Sequence, residues 1–208
     1  MDVQLIIGAL TAIGAVGGIL IGYSSWLNSK RQNIYNEYEN NLKLLSDYIN
    51  NTYFYENDHK YEGIDAYSAM YDLLYREATK KKIEGKEDFI KFYKEFYPKI
   101  QASIGDFFRM CHHIAIFVMS HRFLRKARYY DLFRLILPEG ARLLLFYNGL
   151  VLSSPEFLNA LKKMKIFKNL NYDRLIKPQH INWYDRDFFG EIWTIANKSL
   201  HLTEKREA

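Results

Sequence analysis

Apolar residues are distributed along this chain in two ways. From Val3 to Trp26 they run almost unbroken (VQLIIGALTAIGAVGGILIGYSSW), with no Asp, Glu, Lys, Arg or His in the stretch. From Asn28 onward they recur every three or four residues among polar neighbours, the mark of helices that bury one face. At 1.5 Å per helical residue the first stretch reaches roughly 36 Å, enough to cross a hydrocarbon layer about 30 Å thick. A lone segment in lipid must pair every backbone N–H and C=O internally, so the pattern predicts one transmembrane helix over residues 1–27. Two alternatives compete with it. A cleavable secretory signal opens with basic residues, whereas only Asp2 precedes this run and Lys30 and Arg31 follow it. A buried core helix would have to be apolar all round for an unusual length.

The second pattern predicts an all-α fold for the remainder: a cytoplasmic multi-helix bundle. Ile34, Tyr38, Leu42, Leu45 and Ile49 form one stripe, so residues 28–52 are expected to be helical. They either prolong the first helix as a juxtamembrane stalk or pack on the domain that follows. Residues 53–208 then form the helical domain. Helices are expected over Gly63–Ile83 with Gly85 as C-cap, over Glu87–Tyr97, from Pro98 to His121 as the central core helix, over Tyr129–Leu137 and over Glu139–Leu152. Ser153 and Glu156 have capping-box spacing ahead of another helix, and Trp183–Ser199 closes the fold. No alternating run of strand length is expected.

Charge placement orients the first helix. Lys30, Arg31 and Lys43 follow it and no Lys or Arg precedes it, so the positive-inside rule predicts a single-pass, N-out, C-in topology. Tyr23 and Trp26 fall where interfacial aromatics belong. Gly14, Gly18 and Gly22 recur every four residues, a small-residue strip that lets helix backbones approach closely in lipid; a homo-oligomer is expected through that face.

Composition adds compartment and partners. The 208 residues are 49% hydrophobic and 25% charged, sufficient for a buried core, and the single Cys111 suits a reducing compartment. A net charge of +5 suits an anionic inner leaflet. The lipid bilayer is therefore the expected partner, and no basic cluster exceeds Lys80–Lys82, so nucleic acid is not expected. No cofactor or metal is expected: His112 and His113 are adjacent and point about 100° apart on a helix, unlike an i,i+4 ligand pair. Arg109, Arg134, Glu139, Arg142 and Asn148 stand inside apolar helical runs. They form either a structural salt-bridge network, with Arg134 or Arg142 on Glu139, or a polar pocket for a small signal.

Four segments, GIDAYSAMYDLL, FYKEFYPKIQASIGDFFRMCHHIAIFV, YYDLFRLILPEGARLLLFYNGL and FLNALKKMKIFKNL, resemble the phage abortive infection proteins related to AbiC. The resemblance spans roughly residues 60–176 and carries no catalytic signature; many members have two membrane spans where this chain shows one. It implies antiviral defence of a bacterium at its inner membrane, with a phage-derived or co-encoded protein as trigger. The leading expectation is a non-enzymatic effector that oligomerises through its span and perturbs the membrane. One alternative is a tethered ribonuclease of the HEPN type, for which Arg174 with His180, or Arg109 with His113, are the candidate catalytic residues. Pro178 between the first pair and a short interval in the second argue against it. The other alternative is a scaffold for a toxic partner.

Overall fold

The computed structural model describes residues 3–121, 126–191 and 193–194, without the side chains of residues 3–17 and 19. Helix α1 runs Val3–Asn51 as one continuous element of 49 residues, roughly 74 Å long at 1.5 Å per residue. Its two halves differ. Every described side chain from Gly18 to Asn33 is exposed except that of Leu27. Core contacts begin at Ile34 and Tyr35, and Tyr38, Leu42, Leu45 and Ile49 are buried. Residues 28–51 thus prolong the first helix and, from Ile34 on, also pack on the body.

A hairpin of β1 (Tyr53–Glu56) and β2 (His59–Glu62) follows, antiparallel with Glu56 opposite His59. Its two-residue loop, Asn57–Asp58, has φ of 49° and 64°, the conformation that matches strand twist in tight hairpins. This corrects the expectation of no strands. Only Phe54 is buried, between exposed Tyr53 and Tyr55, and three successive aromatics hide that alternation. Gly63 (φ +56°) turns the chain into the next helix while its N–H donates to Thr52 O at 2.8 Å; a side chain would be strained there.

Among the described residues six further helices form the body: α2 (Gly63–Lys80), α3 (Lys86–Phe96), α4 (Gln101–Ser120), α5 (Lys126–Ile136), α6 (Glu139–Leu152) and α7 (Pro155–Lys163). Three expected boundaries are corrected. Helix α2 ends on left-handed Lys82 (φ 52°), with Ile83 N–H returning to Ala78 O at 3.5 Å, while Gly85 is instead the N-cap of α3. Ser154, one residue later than expected, caps α7, its Oγ accepting from Phe157 N–H. The chain from Tyr172 to Phe188 is a run of 3₁₀ turns (Tyr172–Arg174, Pro178–Trp183, Arg186–Phe188), so no α-helix starts at Trp183; of the expected closing helix, residues 192 and 195–199 lie outside the described residues.

Both α4 and α6 contribute heavily to the core, and α6 is buried over the longer unbroken run. Gly140, Ala141 and Leu143–Gly149 are all buried, because α6 packs on α2 along one side and α3 on another, and the 3₁₀ turns close over it. Tyr184 donates to Phe146 O at 2.7 Å, and Tyr147 Oη accepts from Ile176 N–H at 2.9 Å. Helix α4 buries one face against α1, α5 and α7 and leaves Asp106, Arg109, His112 and His113 exposed.

Candidate functional site

The free half of α1 is the most unusual feature of the molecule. Leu20, Ile21, Tyr23 and Trp26 are 63%, 73%, 58% and 50% exposed. A helix in water normally turns such side chains against something, and contiguous apolar exposure marks an interaction surface. Tyr23 stacks on Trp26 at 5.9 Å, and Lys30 Nζ lies 4.4 Å above the Trp26 ring, a cation–π contact. A Cβ on Gly18 or Gly22 would meet nothing within 4 Å, so that face is open. The Gly14 side-chain position lies outside the described residues. Among the described residues no single helix is long and apolar enough to cross a membrane; most of the apolar run, residues 3–17 and 19, lies outside that description. Helices α5 and α6 are jointly apolar enough, but they meet at 110° and α6 is enclosed by the core.

The five polar residues singled out on apolar runs separate into three places. Arg109 and Asn148 share a cleft of about 450 Å³ with Tyr97, His112, Ser153 and Ser154. There Asn148, nearly fully buried, donates to Tyr93 Oη at 3.4 Å, while Arg109 is exposed and pairs with Asp106. At this mouth Glu156 is held below the usual carboxylate range by its own backbone N–H and by Ser154. Arg134 is buried elsewhere, donating to Met164 O and Asp131. Glu139 pairs with Arg174 at 3.1 Å rather than with Arg134 or Arg142, and Arg174 also reaches Asp72 at 3.7 Å. Arg142 donates to Asn169 O at 3.1 Å; burial pulls its guanidinium pKa down. The expected Arg134/Arg142–Glu139 network is therefore corrected, because the turn carrying Arg174 covers Glu139 first.

The residues of the two candidate nuclease pairs each have other partners. His180 is 2% exposed, stacked on Trp183 at 3.6 Å, with Nδ1 3.0 Å from Tyr147 Oη. Burial, with a lesser push from Lys177, lowers its pKa to about 3, so it stays neutral near pH 7. Arg174 instead engages the surface carboxylates. Arg109 shares its cleft with His112, one turn away, and not with His113, whose ring lies 6.5 Å from Phe117. No group of three potential metal ligands exists among the described residues.

Sequence reasoning missed His112, Ser153 and Ser154 in the cleft. The i,i+3 spacing of Arg109 and His112, together with Pro155 as a helix start, carried that signal. It also missed Arg128, which donates to Tyr35 Oη at 3.2 Å and so joins α5 to α1 where the packed half of that helix begins. The chain matches no family model, and no curated protein or solved structure aligns with it.

Proposed function

We propose that the chain is a membrane-anchored antiphage effector of the abortive infection type. Residues 1–27 cross the bacterial inner membrane once with the N-terminus outside, and the helical body sits on the cytoplasmic side. The observation that carries the anchor is the free half of α1, whose exposed Leu20, Ile21, Tyr23 and Trp26 continue an uncharged run back to Val3. Lipid satisfies such a helix and water does not. Lys30 and Arg31 immediately after it support the orientation. The antiviral role rests on the resemblance over residues 60–176 alone. Gly18 and Gly22, with nothing against them, are available to a second copy, and Gly14 extends the strip in sequence. Association through this face, triggered by a phage-derived or co-encoded protein, would then perturb the bilayer without enzymatic chemistry.

The test is a membrane-potential dye recorded during phage infection of cells carrying the wild-type chain, a deletion of residues 1–27, or Gly14→Leu with Gly18→Leu. Early depolarisation and protection that both variants abolish are expected. Full protection by the double leucine variant overturns oligomerisation through that face, and RNA decay at intact potential overturns the membrane mechanism.

A further inference from the structure

The helical body meets the free half of α1 at one corner, and that corner is basic. Tyr35 lies where α1 begins to pack on the body: its ring lies 6.1 Å from Tyr129, and its hydroxyl accepts from Arg128. Arg31 is one turn nearer the N-terminus on the same face as Tyr35, and Lys30 lies over Trp26. Lys126 opens α5 and donates to Met119 O at 3.3 Å at the end of α4. Among the described residues none of Lys30, Arg31, Lys126 and Arg128 is in an ion pair, whereas Lys81, Lys99, Arg109, Arg134, Lys162 and Arg174 all are. The acidic groups on these elements are spoken for or lie farther down α1. Asp131 pairs with Arg134, Glu39 faces the Tyr35 hydroxyl and raises its pKa, and Glu37 is C-terminal to Tyr35.

Height decides what this cluster faces. If Trp26 marks the interface, Tyr35 lies nine residues along the axis, roughly 13 Å deeper into the cytoplasm. Helical side chains tilt toward the N-terminus, which brings the Tyr35 hydroxyl and Arg128 back up to about 10 Å from Trp26. The headgroup layer occupies roughly 5–8 Å of that distance, and the screening length is about 8 Å in physiological salt. Arg128 and Lys126 are then within the field of the headgroup phosphates, on a different element from the anchor.

We infer that the Lys126–Arg128 end of α5 is a second membrane contact: Lys126 and Arg128, with Lys30 and Arg31, dock the body on anionic phospholipid headgroups. This rests on the anchor reading above. It gives the body one preferred face toward the bilayer, where a single helix alone would let it swing.

The test places a fluorophore on the exposed position Ala127 (Ala127→Cys; Cys111 is fully buried and stays unlabelled) of the full-length chain. The chain is reconstituted in nanodiscs of phosphatidylcholine, with or without one third phosphatidylglycerol, carrying an acceptor on the headgroups. Transfer is expected to be higher with phosphatidylglycerol and to fall at high salt. Lys126→Gln with Arg128→Gln should lower the ratio of docked to undocked body roughly thirtyfold, from about fivefold per basic side chain. Glutamine keeps a donor toward Met119 O, and an unchanged Tm shows that the fold survives. Lys91→Gln with Lys94→Gln on α3 removes equal charge elsewhere and should leave transfer unaltered. Equal transfer in both lipids, or an equal effect of the α3 pair, overturns the inference while the anchor stands. A wild-type chain that cannot be reconstituted into either nanodisc overturns the anchor and this contact with it.

Discussion

Gly140 is the point at which α6 touches the backbone of α2. A Cβ built there would lie 2.8 Å from both Ser68 N and Tyr67 C, and 3.0 Å from Tyr67 O. Carbon contacts are favourable at about 3.5–4.0 Å, so Gly140→Ala is short of room by roughly 1 Å. All three neighbours are backbone atoms of a helix, and no side chain can rotate away. The helices must part locally, and overpacking of this kind costs about 1–3 kcal/mol. Alanine's helix propensity returns at most about 1 kcal/mol, and less at the second residue of a helix. The net is a loss of about 1–2 kcal/mol, or a fall in Tm of roughly 2–8 °C for a chain of this size. Thermal unfolding of the full-length protein in detergent, followed by far-UV circular dichroism, measures it. Gly105→Ala is the control: also buried and in a helix, its Cβ would meet only side-chain atoms at 3.6–3.9 Å, so it should stabilise by about 0.5–1 kcal/mol. If both substitutions raise Tm alike, the close α2–α6 crossing does not exist as described.

Two further outcomes follow from buried polar groups. His180 has a folded pKa of about 3 against an unfolded value near 6.5. The unfolded chain therefore takes up the proton first, and stability present above pH 6.5 drains away as pH falls toward 3. The loss should reach about 1–2 kcal/mol by pH 5; urea midpoints at pH 7 and 5 should differ less for His180→Phe, and an unchanged difference would place the histidine in contact with water. Tyr38, fully buried, donates to Tyr129 O at 2.6 Å and so ties α1 to α5. Tyr38→Phe should lower stability by about 1 kcal/mol with an unaltered urea slope, and a variant as stable as wild type would show that the hydroxyl contributes nothing net.

The helical class of the body was legible because apolar positions at three- and four-residue intervals have few other meanings; α6 falls on Glu139–Leu152 as expected. What escaped was set by tertiary contact or by local backbone geometry. The hairpin depends on a two-residue turn at Asn57–Asp58, and its one buried side chain, Phe54, leaves no period to detect. The end of α2 was placed by glycine preference, yet a lysine adopts the left-handed conformation there. Apolarity marks α4 as a core helix, and it does pack on α1, α5 and α7; that α6 is buried over the unbroken run Leu143–Gly149 depends on the fold placing neighbours around it. Among the polar residues, Arg109 and Asn148 converge because α4 and α6 flank one cleft. Glu139 and Arg174, 35 positions apart, could be paired only by the fold.

The central claim is that α1 leaves the body to enter lipid, and carbonate extraction of membranes from cells expressing the full-length chain tests it most directly. Alkaline carbonate strips proteins held by charge or by surface contact and leaves spanning helices in the pellet. The wild-type chain is expected to remain in the pellet, and deletion of residues 1–27 to release the body. Recovery of the wild-type chain in the carbonate supernatant would contradict it.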